Sequence, residues 1–384
     1  MRILHTSDWH IGRTFHGVDL LADQLAALLA IADLVTETGV DVVVLAGDVY
    51  DRAIPSADAV STCMAGLEAI RAAGAQLVVS SGNHDSAPRL GAGSSFAAAG
   101  GLHLRTDLKQ IAQPVELVDE HGPVLIYGIP YLEPEVTRHG LACGNSHESV
   151  LTAAMGQIRA DIESRDGART VVVAHAFVVG GEPSESERSI SVGGVETVPA
   201  GVFAGVDYVA LGHLHSPQTI AENVRYSGSV LPYSFAETSH RKAVWVVDLD
   251  AQGLSNVERH DLPIIRGLST LTASLEELLT DPSFATYEDH YISVLLTDAV
   301  RPAEAMRKLK ARFPFAVHLD LVNQQAMQAL DYRRRVKGRT DLDIARGFVA
   351  DVRSEPTIGE VAWLESALAQ DDRQVEPTGV AKSA

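Results

Sequence analysis

Cysteine is almost missing from this chain. Its two thiols in 384 residues, Cys63 and Cys143, are too few for a disulfide framework and lie too far apart for paired zinc-ligand spacing. They read as small buried hydrophobes in a reducing compartment, so the expected location is cytoplasmic. Long apolar runs are missing too. None approaches the ~20 residues that span a bilayer, so no membrane partner is expected. A leader peptide is not expected either, because residues 1–6 already read as a strand. Positive charge is scarce, with 31 Lys and Arg against 50 Asp and Glu, a net of −19. That balance predicts solubility and weak nonspecific affinity for nucleic acid. The deficit is uneven. Between Arg301 and Arg339 ten basic residues face three acidic ones, which makes this region a candidate binding surface.

What is present is an α/β alternation of short β-branched strands and amphipathic helices. Strand 1–6 is followed by a helix over Leu20–Thr38, with Asp19 as its N-cap and Gly39 beyond its end. Strand Val40–Leu45 leads to a helix over Ala57–Ala73, and strand Gln76–Ser81 to a short helix over Arg89–Ala99. Strands within 111–131, a helix over Ser149–Arg165, strand Thr170–Val173, a long loop from Gly180 to Gly194 and strand Asp207–Leu211 follow. After strands near 225–227 and 243–248 comes a less regular link. A boundary falls near Leu262-Pro263. The domains are then expected at 1–262, a small α+β unit at 263–332, a basic linker with two amphipathic helices at 333–370, and a disordered polar tail at 371–384. The helices are Asp341–Arg353 and Ile358–Gln370. Between Ala273 and Leu321 the pattern reads helix, strand, helix, strand.

Five of the strands end in polar side chains: Asp8 and His10, Asp48, Asn83 with His84 and Asp85, His175, and His213 with His215. In an α/β sheet such ends collect at one edge, where ligands bind. Asp8 and His10 are two apart, so on an extended segment they would point the same way. Seven donors, Asp8, His10, Asp48, Asn83, His175, His213 and His215, exceed what one metal needs. Two divalent ions sharing a carboxylate and an activated water are the natural reading, with Asp48 as the bridge. The lack of cysteine among the donors points to Mn, Fe, Zn or Mg, not a structural zinc. Such a site suits phosphate-ester hydrolysis. His84, beside the donors but not needed among them, is the candidate catalytic acid or transition-state ligand.

Asp8-x-His10, Gly47-Asp48-x-x-Asp51, Gly82-Asn83-His84-Asp85, His175 and Gly212-His213-x-His215 resemble the five motifs of the calcineurin-like metallophosphoesterases. The resemblance implies a four-layer α/β/β/α sandwich. It implies one metal on Asp8, His10, Asp48 and His215, and a second on Asp48, Asn83, His175 and His213. Asp51 and Asp85 would lie one layer out, holding ligands. Residues 5–12, 180–188 and 226–235 narrow the resemblance to the nuclease subunits of bacterial SbcCD-type complexes. That implies a manganese-dependent 3′–5′ exonuclease on duplex DNA that also cuts single strands and hairpins, in repair, recombination and replication. It implies a homodimer assembled with two SbcC-type ATPase subunits on DNA, through the helices at 57–73 and 89–99 for the dimer and the C-terminal helices for the ATPase. A protein phosphatase or small phosphodiesterase of the same superfamily is the competing expectation. Against it, Ala53, Ser81 and Asp85 stand where the phosphatases place Gly, Arg and Glu.

Overall fold

The computed structural model describes residues 1–165, 167–184, 186–187, 197–322, 339–352 and 356–371. Most of the basic run after Tyr332, part of the 180–194 loop, and the expected tail from residue 372 lie outside the described residues. Contacts divide the chain into two units. One holds Met1–Leu295 and Pro302–Leu319; the other holds Leu296–Arg301 and the residues from Asp320 onward.

The first unit is built on two six-stranded sheets. In spatial order, one runs Gly253–Asp261, Ala243–Asp250, Arg2–Thr6, Val42–Ala46, Gln76–Ser80 and Leu102–Arg105. The other runs Gln218–Ala221, Val224–Tyr226, Tyr208–Gly212, Arg169–His175, Gly122–Gly128 and Val115–Asp119. Val42–Ala46 is buried throughout because alternate residues face different layers. Val42, Val44 and Ala46 meet Val171, Val173 and Ala210 of the opposite sheet. Val43 and Leu45 face Leu28, Ile31 and Ile70 of the helices Leu21–Thr38 and Ala57–Ala72. On the other outer face, Leu151, Met155 and Ile158 of helix His147–Glu163 cover Val172, Val209 and Leu211. The result is helix, sheet, sheet, helix. His5 bridges the sheets, its ring nitrogens 3.0 Å from Tyr208 Oη and 3.0 Å from the Leu211 carbonyl.

Local signals give most element ends. Gly39 ends the first helix in the left-handed conformation, and its N–H donates to the Val35 carbonyl. The Asp19 carboxylate accepts from Leu21 N at 2.7 Å, although the helix itself is counted from Leu21 with Leu20 as its capping position. Ser56 caps the second helix by accepting from Ala59 N. Other elements differ from expectation. The helix expected over Arg89–Ala99 is two short helices, Ala87–Leu90 and Ser94–Ala99, broken where Gly93 turns to φ +75°. The link after Asp250 is a strand, Gly253–Asp261, antiparallel to Ala243–Asp250. Its outward face is polar and exposed, so no apolar run announces it. Strand Leu268–Ala273 precedes helix Leu275–Thr280, which Ser274 opens with a capping box. It pairs into a three-stranded sheet with Tyr291–Leu296 and Ala316–Leu321.

In the second unit, Asp341–Val352 and Ile358–Asp371 are helices. Phe348, Ile358 and Trp363 are exposed there. No helix among the described residues is long and apolar enough to cross a membrane.

At the far edge of the second sheet Arg169 grips Asp119, with Nη1 and Nη2 at 2.9 and 2.5 Å from its two oxygens, and also donates to the Gly122 carbonyl at 2.7 Å. Both side chains are largely buried. The guanidinium holds the Asp119 carboxyl well below the usual carboxylate range. Asp119→Asn should lower unfolding free energy by about 3 kcal/mol at neutral pH, the scale for breaking a buried pair. In urea titrations the gap to the unsubstituted chain should close as pH falls below about 4, where the unfolded aspartate takes up its proton. A gap that persists undiminished in acid would place the stabilisation elsewhere.

Candidate metal centre

Each expected donor arrives at the same sheet edge. Strand Arg2–Thr6 runs into Asp8 and His10, Val42–Ala46 into Asp48, Gln76–Ser80 into Asn83, Arg169–His175 ends in His175, and Tyr208–Gly212 leads to His213 and His215. Crossing loops are tied by main-chain bonds: Asp8 N to the Gly47 carbonyl at 3.1 Å, and His10 N to the Asp48 carbonyl at 3.0 Å. Asp8 and His10 do not lie on an extended segment. Their φ angles are +51° and +46°, Asp48 is at +51° and His213 at +112°. Left-handed backbone is uncommon and strained outside glycine. Here four candidate ligands adopt it, so packing holds them against local preference.

Two glycines permit the approach. A Cβ on Gly212 would strike the Ala46 carbonyl, and one on Gly82 would overlap the Asp48 amide and carboxylate, with Cγ 2.7 Å away. Asp85 then clamps the two loops together. Its carboxylate accepts from Val49 N at 3.1 Å, Tyr50 N at 2.9 Å and Gly82 N at 2.9 Å.

Ligand atoms of Asp8, His10 and His215 lie within 4.8 Å of one another, as do those of Asp8, Asp48 and His175, and those of His10, Asp48 and His84. Asn83 joins through its Oδ1, 2.9 Å from His175 Nε2. His213 joins differently. Its N–H points at both Asp8 oxygens at 3.1 Å, while its ring lies beside that of His175, centroids 5.3 Å apart. Distance alone groups His84 with the ligands. Its Nδ1 donates to the Asp51 carbonyl at 2.8 Å, and its N–H to Asp48 Oδ1 at 2.9 Å. Asp51 Oδ1 is 3.6 Å from His10 Nδ1, an ion-pair distance too long for a hydrogen bond.

The hydrogen-bond pattern fits metal ions. His175 Nδ1 donates to the Ala46 carbonyl at 3.0 Å, which leaves a lone pair on Nε2 facing the Asn83 oxygen. His215 Nδ1 sits 2.5 Å from Ser186 Oγ, whose one proton goes to Glu237 Oε1, so Nδ1 is the donor and Nε2 keeps its lone pair. That atom faces His10 Nε2 at 3.1 Å. The His175 Nε2 lone pair and the Asn83 oxygen, both acceptors, repel unless a cation lies with them. Burial pushes the His10, His175, His213 and His215 imidazoles below their ordinary range, His213 to about 3, so they offer neutral nitrogen. Asp8 is raised by burial and by the neighbouring Asp48. Burial also acts to raise Asp48; it lies below its ordinary value only through positive charge on the facing His175, His10 and His84 and the His84 N–H it accepts.

Several polar residues near the centre escaped the reading of the sequence. Arg13 donates to the Ser186 carbonyl at 2.8 Å and lies over the Tyr233 ring at 4.7 Å. Gln24 donates to the His10 carbonyl at 2.7 Å. Glu237 and Lys242 form a buried pair at 2.5 Å. None belongs to the polar clusters that follow the strands, and nothing in the residues around them distinguishes them from ordinary surface positions.

Residues 1–217 match the family model for calcineurin-like phosphoesterases. Among solved structures the chain is similar to the calcineurin-like phosphoesterase YfkN from Bacillus subtilis, at 15% identity over 68% of this chain and 90% of that one, with a TM-score of 0.38. It is similar to a dimetal phosphatase from Danio rerio at 16% identity, over 68% of this chain and 98% of that one, with a TM-score of 0.37.

Gly82→Ala should displace Asp48 and lower the number of divalent ions retained per chain, read by elemental analysis of the purified protein. Metal content equal to that of the unsubstituted chain would mean that Asp48 can move without loosening the site.

Proposed function

Because the chain belongs to the calcineurin-like phosphoesterase family, we propose that it is a two-metal phosphodiesterase acting on DNA, a nuclease subunit of the SbcD type. One observation supports this choice within the family. The three stretches that carry the narrower resemblance meet on one flank of the ligand cluster. Tyr233 Oη donates to the Trp9 carbonyl at 2.6 Å, Ser7 Oγ to the Gly228 carbonyl at 3.3 Å, and Ser186 contacts His215. Segments far apart in sequence thus form one wall of one site.

Two divalent ions, taken as manganese, would be held by Asp8, His10, Asp48 and His215, and by Asp48, Asn83, His175 and His213. When bound they would activate water and neutralise phosphoryl charge. The chain's own groups do the rest. Asp85 holds the Asp48 and Asn83 loops in register. The Asp51 carbonyl fixes the His84 ring by accepting its Nδ1 proton, and a second proton, on Nε2 of the imidazolium, is the one that would pass to the leaving oxygen.

Two partner surfaces belong to the same reading. Ile54, Val60, Met64 and Phe96 are exposed on or beside the helices Ala57–Ala72 and Ser94–Ala99, and we assign this face to a second copy of the chain. In the C-terminal unit, Phe348, Val349, Trp363 and Leu364 line a groove of about 710 Å³ between its two helices. We assign it to helix-in-groove docking on an SbcC-type ATPase.

Assayed with Mn²⁺, the protein should degrade duplex DNA from its ends in preference to a phosphopeptide or a cyclic nucleotide. Preference for either of the latter would return it to the phosphatases or small phosphodiesterases. His84→Ala should keep close to two ions per chain yet lower cleavage by about 10²–10⁴; loss of metal would make His84 a ligand. Deleting residues 341–384 should preserve Mn²⁺-dependent cutting of single strands but abolish co-purification with the ATPase. Aggregation of the truncated chain would assign the helices to the core instead.

A further inference from the structure

His215 is held at each of its polar atoms except Nε2. Its N–H donates to Glu187 Oε1 at 2.8 Å. Its carbonyl accepts from Lys242 Nζ at 2.8 Å and from Ser229 N at 3.2 Å. Its Nδ1 lies 2.5 Å from Ser186 Oγ, and that hydroxyl in turn donates to Glu237 Oε1. Glu237 Oε2 accepts from Lys242 at 2.5 Å. The remaining Lys242 proton goes to Ser229 Oγ at 2.9 Å. The bonds close a ring: imidazole to serine, serine to carboxylate, carboxylate to ammonium, ammonium back to the His215 carbonyl.

This ring lies in the interior. Glu237 is 1% exposed and Lys242 7%. Burying a carboxylate and an ammonium is unfavourable unless both are fully hydrogen-bonded, and here they are. A plain core would manage with apolar side chains at both positions. The direction of the bonds gives the pair a use. Serine has one hydroxyl proton, and Glu237, an acceptor only, takes it. Ser186 Oγ must then accept from His215, so the imidazole proton stays on Nδ1. That leaves the Nε2 lone pair aimed at the point it shares with His10 Nε2, 3.1 Å away.

We propose that Ser186, Glu237 and Lys242 form a positioning relay that holds His215 in the tautomer and orientation required to bind one of the two metal ions. The inference rests on the reading of His215 as a metal ligand. It places a serine between histidine and carboxylate, where metal sites commonly join the two directly. It also makes Ser184, Ser186 and Glu187 part of the metal site. Ser184 braces the relay, its Oγ 2.8 Å from Glu187 Oε2 and 3.1 Å from Ser186 Oγ. Lys242 acts through Glu237 and the His215 carbonyl.

The test is calorimetric titration of the metal-free, full-length chain with Mn²⁺. Ser186→Ala leaves the Glu237–Lys242 pair intact. It should weaken one binding event by about 10–100-fold, the range for partners that orient a metal-bound histidine, and leave the other event unchanged. Ser186→Thr, which restores the hydroxyl, should restore the affinity. Glu237→Gln should weaken the same event as Ser186→Ala. Unchanged affinities in Ser186→Ala, equal weakening of both events, or a threonine variant that behaves like alanine would each overturn the relay. His215→Ala separates the two levels. If it still binds two ions with full affinity, the ligand reading fails and the relay with it. If it loses one ion while Ser186→Ala loses none, the relay alone is wrong.

Discussion

Asp8 and Asp48 are buried together, at 0% and 2% exposure, and two buried carboxylates at close range repel strongly unless positive charge lies with them. Much of the architecture answers that constraint. The nearby imidazoles are pressed neutral by burial. Two of them turn Nε2 inward and Nδ1 towards a protein acceptor: the Ala46 carbonyl for His175 and Ser186 for His215. A cluster of this kind is stable as a cation site and poor as anything else.

Bringing five strand ends so close has a backbone consequence. Gly82 and Gly212 leave no room for a side chain, and four ligand positions sit in left-handed backbone. Such strain persists only where surroundings over-determine the conformation. The surroundings here are two sheets whose facing residues are fully buried, with helices over both outer faces. The sandwich core is therefore what supports the strained loops. A site on rigid strand ends holds its ligands more closely than one on free loops.

The flank built from residues 5–12, Ser184, Ser186, Glu187 and residues 226–242 differs in kind. It contributes polar side chains that touch one ligand and one another instead of further donors to the centre. Phosphoesterase chemistry explains the centre; this flank is where members of one fold can diverge in substrate and control. Apolar side chains are also exposed beside the paired helices of the first unit and between the helices of the second.

Much of this was legible in the chain because it is local. A β-branched run followed by Gly-Asp, Gly-Asn-His or Gly-His-x-His marks a strand end carrying donors, and Ser56 and Gly39 mark helix ends by their own backbone needs. The seven donors and His84 could be named on that ground, as could the α/β alternation, while the four layers were implied by the family resemblance. What depends on contact between distant segments was not legible. The polar outer strand Gly253–Asp261 forms because Ala243–Asp250 presents a free edge to it, and no periodicity announces that. The break at Gly91–Gly93 follows from backbone that a helical Ala-rich pattern conceals. Asp8 and His10 face one centre through left-handed turns tied to Gly47 and Asp48, where two-residue alternation had suggested an extended segment. Glu237 and Lys242 read as ordinary surface charges until tertiary structure buries them against His215. A buried charge is recognisable only by its partner, and that partner was brought near by folding.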